Sequence, residues 1–162
     1  IQVEPNATGP RANLAELYTR LSENLIRQYQ QARQQPPANA IKQLQEYEQK
    51  AEQLRKEELV NFQRDASYAP NIASVQYRYG LALYRDGQLD EAVTVIRRVH
   101  ELEPETTLYM IALVRLLQEV ESYQEALEIA RKLVEIEPQH QALIQEITSQ
   151  INQSSPTPPD EG

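Results

Sequence analysis

The chain has 162 residues, enough for one domain or for one domain with a small extension. It contains no cysteine, which excludes a disulfide framework, a thiolate zinc site and an attached c-type haem within this stretch. The formal net charge is −8, and residues 71–152 carry most of it, with seven Lys/Arg against thirteen Asp/Glu. Because nucleic-acid phosphates repel an acidic surface, we expect no nucleic-acid partner and a basic or neutral protein partner instead.

Both ends of the chain lack a periodic apolar pattern. Residues 1–10 and 153–162 are rich in Pro, Gly and small polar residues, which predicts a disordered lead-in and a disordered Pro-rich tail. The chain opens at Ile1 rather than Met, so we expect a processed mature form or a piece of something longer. No apolar run approaches the roughly 18 residues that a membrane-spanning helix needs, so we expect no membrane span.

Residues 11–67 are predicted to form a long hairpin of two helices. The first helix should run to about Gln34 and end before Pro36-Pro37, because proline disfavours helix at the preceding residue. The second should run from Ala38 to about Ser67. Apolar residues recur every three or four positions, which indicates one apolar face on each helix. They are Leu14, Leu17, Tyr18, Leu21, Leu25 and Tyr29, then Ile41, Leu44, Tyr47, Ala51, Leu54, Leu59 and Phe62.

A degenerate repeat is the alternative interpretation of this region, since Pro36 and Pro70 lie 34 residues apart. A repeat would need a turn near the middle of the second helix. Residues 50–58 contain only strong helix formers, and Glu46 and Glu58 stand where later copies have small residues. These observations favour the long hairpin.

The second half of the chain contains an internal repeat of 34 residues. Residues 71–104 and 105–138 superpose as two copies, each predicted to be a helix pair that ends before Pro104 or Pro138. We expect Asn71 to cap the first of these helices and Gly87 to permit the turn after it. Residues 139–152 are predicted to form a further helix with one polar face. The last helix of a helical array needs such a face because it is exposed to water.

The two copies share a pattern of small and bulky residues. In the first copy the pattern is Gln76, Tyr79-Gly80, Leu83, Ala92, Ile96 and Pro104, and in the second it is Met110, Leu113-Val114, Leu117, Ala126, Ala130 and Pro138. This pattern resembles the tetratricopeptide repeat family. The resemblance implies an all-α fold: an α-solenoid of helix pairs, here with the N-terminal hairpin packed on the first copy and a C-terminal capping helix. It also implies a non-catalytic protein-interaction module.

In that family, partner peptides usually lie in a concave groove lined by the first helix of each repeat. The matching positions here are Ser74, Tyr77, Arg78, Leu81, Tyr84, Arg85, Leu108, Ile111, Arg115 and Gln118. Such a lining would suit an amphipathic or extended peptide with a carboxylate for Arg115 or Arg85. Tyr77 and Tyr84 could equally pack against the hairpin as core residues. The chaperone-binding subgroup clamps a terminal carboxylate with basic and Asn side chains, and Tyr77 and Leu81 replace two of these.

The sequence contains no pattern typical of an active site or a cofactor site. His100 and His140 are predicted on different helices with no ligand at metal spacing, and no phosphate-binding loop or nucleophile elbow is present. We therefore expect no catalytic residues, no cofactor and no metal.

Two alternatives to a peptide-binding module stay open. The run 70–87 is similar to the repeat-bearing C-terminal regions of bacterial multihaem cytochromes, which would make the chain part of a larger enzyme or electron carrier. We therefore favour the bacterial envelope or periplasm over the cytoplasm. The other alternative is a self-assembling structural module, a homo-oligomer formed through the hairpin or the groove.

Overall fold

The computed structural model describes residues 10–154, and this part of the chain is all-α, as predicted. The α-helices are α1 (Pro10–Gln31), α2 (Ala38–Tyr68), α3 (Ala73–Arg85), α4 (Leu89–Leu102), α5 (Thr107–Glu119), α6 (Tyr123–Ile136) and α7 (Gln141–Ser154). A short 3-10 helix, Pro138–His140, leads into α7. The predicted lead-in, apart from Pro10, and the tail beyond Ser154 lie outside the described residues, whereas Gln153 and Ser154 are helical.

Helices α1 and α2 pack antiparallel along their length. The aromatic contact between Tyr18 and Tyr47, with ring centroids 5.8 Å apart, lies part-way along the hairpin. The ion pair between Arg11 Nε and Glu57 Oε2, 3.4 Å apart, lies near the start of α1. Helix α2 continues without interruption through residues 50–58, because every side chain in that stretch favours helix.

Apart from Glu58, the buried residues of α1 and α2 are small rather than bulky. They are Ala12, Ala15 and Ser22 on α1 and Ala40, Ala51 and Ala66 on α2. Small side chains let two helix backbones approach closely. The predicted leucine face of α1 points elsewhere: Leu14, Leu17 and Leu21 are 42%, 51% and 37% exposed. The periodicity therefore identified an apolar face on α1 of which only a part, including Tyr18, contacts α2.

Helices α3 to α6 form the two predicted helix pairs, and their apolar faces build the main core. Gly80 permits the close crossing of α3 and α4, since a Cβ at this position would lie 2.5 Å from Ile96 Cδ1. Gly87 forms the turn with φ +82°. The corresponding residue of the second copy is Glu121, which adopts φ +58° although it carries a side chain. The repeat thus conserves the left-handed turn geometry even where glycine is absent.

Successive helix pairs stack through specific side chains as well as the core. Gln76 Nε2 donates to the carbonyl oxygens of Ala66 (2.8 Å) and Ala69 (3.1 Å), which ties α3 to the end of α2. Arg97 forms two hydrogen bonds to the Glu125 carboxylate, at 2.8 and 2.9 Å, and joins α4 to α6. The prediction that Asn71 caps α3 was wrong. The extended residue before the helix is Ile72, and no side chain caps it.

Candidate functional site

The first helices of the repeats, α3, α5 and α7, are linked side by side by polar and aromatic contacts. The rings of Tyr77 and Tyr109 lie 4.9 Å apart and join α3 to α5. Tyr84 Oη donates a 2.8 Å hydrogen bond to Glu119 Oε1 across the same two helices. Burial, together with this bond to a carboxylate, raises the pKa of Tyr84 to about 12, so the phenol stays protonated at neutral pH.

A second set of hydrogen bonds joins α5 to α7. Arg115 Nη1 donates to Glu146 Oε1 at 2.7 Å and to Gln118 Oε1 at 3.1 Å. Gln118 Nε2 in turn donates to Glu146 Oε1 at 3.0 Å and to Gln150 Oε1 at 2.8 Å. Gln118 is only 8% exposed, so its amide is a structural link between the helices. Arg115 is already neutralised by a carboxylate of its own chain.

A cleft of about 780 Å³ lies between α5, the 3-10 helix and α7. Its size is within the range typical of ligand pockets. Amides are common in the lining, together with a few apolar side chains and the Arg115–Glu146 pair. The lining residues are Ile111, Arg115, Gln118, Glu119, Gln139, His140, Ala142, Leu143, Glu146 and Gln150.

The structure distributes the ten predicted groove residues among three environments. Tyr77 and Leu81 are in the core, where they present little surface to a partner. Ser74 and Arg78 are exposed on α3, while Tyr84, Arg85, Leu108, Ile111 and Arg115 are half-buried. Ile111, Arg115 and Gln118 meet in the cleft between α5 and α7. Arg85 lies apart from them, in a smaller cavity.

This smaller cavity, of about 260 Å³, lies between α1, α2 and α3. Its lining consists of Ala12, Ala15, Glu16, Thr19, Arg55 and Arg85. Arg55 Nη2 donates a 2.9 Å hydrogen bond to Thr19 Oγ1. Burial lowers the pKa of Arg85, and the negative charges of Glu58 and Glu16 oppose this effect. The Arg85 guanidinium nevertheless keeps its charge at neutral pH.

Several of these lining residues were not predicted from the sequence. Glu119 and Ala142 lie 34 residues after Arg85 and Leu108, so extending the repeat period would have identified both. No comparable signal marks Arg55 or Thr19. They belong to the hairpin, whose alignment against α3 is set by packing.

Comparison with known families places a repeat at this part of the chain. The model of the family described as Tetratricopeptide repeat matches residues 73–116. These residues form a tetratricopeptide repeat. The match runs through α3 and α4 and ends at Leu116 of α5. No curated protein matches the chain.

The tetratricopeptide repeat indicates a protein-interaction module, and the linked first helices form the kind of extended surface that helical repeats use. Across residues 10–154, no group of three or more His, Asp or Glu side chains is placed to hold a metal ion. His100 lies on α4 and His140 in the 3-10 helix. Within the same range, no helix is long and apolar enough to cross a membrane.

Proposed function

We propose that the chain is a non-catalytic protein-interaction module and that a partner peptide binds in the cleft between α5 and α7. The observation that supports this most is the convergence of Ile111, Arg115 and Gln118 in the cleft. The resemblance to the tetratricopeptide repeat family had implied that these three face a binding groove. The tetratricopeptide repeat at residues 73–116 supports this role, because repeats of this kind usually bind other proteins.

The charges of the cleft favour a neutral or weakly basic peptide. Arg115 is paired with Glu146, and Glu119 adds a second carboxylate to the lining. An acidic peptide would meet the negative charges of Glu119 and Glu146, and Glu146 already accepts a hydrogen bond from Arg115 Nη1. The side-chain amides of Gln139, which is exposed, and Gln150, which is half-buried, can instead form hydrogen bonds with an extended peptide backbone.

Selection from a displayed peptide library tests this proposal. Wild-type protein should enrich peptides of neutral or positive charge. The variant Ala142→Trp, which fills the cleft from an exposed position on α7, should reduce that enrichment by tenfold or more. Such a loss corresponds to about 1.4 kcal/mol of binding free energy.

The matched control is Ala38→Trp, which places the same bulky side chain at an exposed position in the first turn of α2. It should select peptides as the wild type does. Equal enrichment by wild type and Ala142→Trp would move the binding site out of the cleft. Enrichment of acidic peptides would contradict the proposed charge preference.

A further inference from the structure

The cavity between α1, α2 and α3 contains an arginine nitrogen without a visible hydrogen-bond acceptor. Arg85 Nη1 is fully buried and makes no hydrogen bond to the part of the chain that the structure describes. Buried polar groups almost always have hydrogen-bond partners, and the cost of an unpaired donor is highest when it carries a charge. Arg85 lines this cavity, and its buried Nη1 without an acceptor marks a guanidinium that an external acceptor would stabilise.

A second guanidinium faces the same cavity from α2. Arg55 is held by its hydrogen bond to Thr19 Oγ1, and that hydroxyl donates in turn to the Ala15 carbonyl oxygen at 3.1 Å. The orientation of Arg55 is thus fixed from α1. Two arginines on different helices can grip a small planar anion from two sides, as guanidinium groups do with carboxylates.

The surroundings favour a singly charged anion over a phosphoryl group. Glu16 lines the cavity, and the charge of Glu58, which is 4% exposed, acts on Arg85. A dianion would meet these two carboxylates, whereas a carboxylate brings half the charge. The volume of about 260 Å³ lies below the usual range for drug-sized ligands, so the cavity fits a group the size of a side chain.

We propose that this cavity, lined by Arg55 and Arg85, is a carboxylate-binding site that receives an acidic group of the protein partner. The inference rests on the proposed function for the identity of the partner. Of the two arginines predicted to bind a carboxylate, Arg115 already pairs with Glu146, whereas Arg85 Nη1 has no acceptor, so the proposal assigns the carboxylate to Arg85.

The two cavities differ in the charged residues that line them. Arg85 and Glu119 occupy equivalent positions 34 residues apart, one lining the arginine cavity and the other the acidic cleft. A partner would therefore place an acidic group near the hairpin and a neutral or basic segment near α7. The order of these charges would fix the direction in which the partner binds.

Titration of the 15N-labelled full chain with small probes tests the carboxylate site directly. The probes are N-acetylglutamate α-amide for an acidic side chain, N-acetylglycine for a chain terminus, and N-acetylglutamine α-amide as the neutral isostere. We expect saturable shifts of the Arg55 and Arg85 Nε–H signals with one or both carboxylates. Binding of the neutral isostere should be at least tenfold weaker. The tighter of the two carboxylates identifies the source of the acidic group.

Two variants and one control make the assignment specific. Arg85→Gln and Arg55→Gln should each weaken the binding of the carboxylate probes about tenfold or more. If Arg85→Gln fails to fold, Arg55→Gln still tests the site. Arg98→Gln removes an exposed arginine paired with Glu101 on α4 and should have no effect.

Four outcomes would overturn the proposal. They are the absence of saturable shifts, equal binding of the neutral isostere, tighter binding of inorganic phosphate than of either carboxylate, and equal weakening by Arg98→Gln. The last would indicate a general ionic effect. Because the probes require no partner and no cleft, this site and the cleft between α5 and α7 can fail independently.

Discussion

The hairpin α1–α2 and the repeat region α3–α7 are both helix pairs, but they bury different residues. The buried residues of the hairpin are alanines, a serine and Glu58, whereas Leu14, Leu17 and Leu21 are exposed. The repeats bury bulky side chains such as Leu113, Leu117 and Ile96 completely. Because hydrophobic stabilisation scales with the apolar area removed from water, each residue of the repeat core contributes more than its hairpin counterpart. The difference shows that a helical period reveals an apolar face without revealing what covers it.

The largest expected difference is between two leucine-to-alanine substitutions, one in the repeat region and one in the hairpin. Leu113→Ala should lower the free energy of unfolding by about 2–5 kcal/mol, because it leaves a cavity around a fully buried position. Leu17→Ala, the same change at a position 51% exposed, should stay within about 0.5 kcal/mol. Chemical denaturation of both variants measures the difference. A cost above about 2 kcal/mol for Leu17→Ala would mean that the leucine row is covered in solution.

The exposed leucine row of α1 adds a surface for pairing between copies to the hairpin and groove faces on which the predicted homo-oligomer was based. Sedimentation of the wild type and Leu17→Ala at several concentrations shows whether copies pair through it. A concentration-dependent increase in mass that Leu17→Ala abolishes would support pairing through α1. A constant monomer mass would contradict it.

An intermediate effect is expected at the close crossing of α3 and α4. Gly80→Val should lower the free energy of unfolding by about 1–3 kcal/mol, because the added side chain meets the buried Ile96. Gly87→Ala is the contrasting change, since nothing lies within 4 Å of the new Cβ. Its cost of about 1–2 kcal/mol arises instead from the left-handed backbone. An unchanged denaturation midpoint for Gly80→Val would show that α3 and α4 separate without cost.

The smallest expected effect comes from the ion pair between the two repeats. The hydrogen bonds from Arg97 hold the pKa of Glu125 below its usual value of 4.5. The folded pKa is therefore below the unfolded one. The stabilisation is complete above about pH 4.5 and is lost as the pH falls through the folded pKa.

The free energy of unfolding of the wild type should thus exceed that of Glu125→Gln by about 0.2–1 kcal/mol at pH 7, the range for partly exposed pairs. This difference should fade below pH 4.5. Denaturation curves across this pH range measure it. Glu128→Gln, an exposed carboxylate on the same helix, is the reference substitution. A difference that grows on acidification would reverse the assigned sign.

Much of the repeat region could be predicted because its pattern is local and occurs twice. Pro104 and Pro138 mark the ends of helix pairs, Gly87 marks a turn, and Ala92 and Ala126 mark close crossings. Each follows from backbone geometry or side-chain size within a few residues. The hairpin was harder because its leucines and its alanines both recur at helical spacing. Only the position of α2 determines which row is buried.

In the candidate sites, too, local sequence predicted some features and helix packing determined the others. Ile111, Arg115 and Gln118 line one cleft because their spacing of four and three residues places them on one face of α5. This spacing did not reveal that Arg115 is paired with Glu146, because side-chain pairing between helices depends on how α7 is rotated against α5. Arg55 and Arg85 are 30 positions apart in sequence and meet only through the packing of α2 on α3.

The sequence by itself determined that the chain is helical, that its second half repeats, and where most helices begin and end. These properties are set by hydrophobic period, helix propensity and the positions of proline and glycine. The tertiary structure decided which apolar rows are buried, which arginine is already neutralised and which still has a nitrogen to donate. Those properties depend on distances between side chains far apart in sequence, which the relative positions of the helices fix.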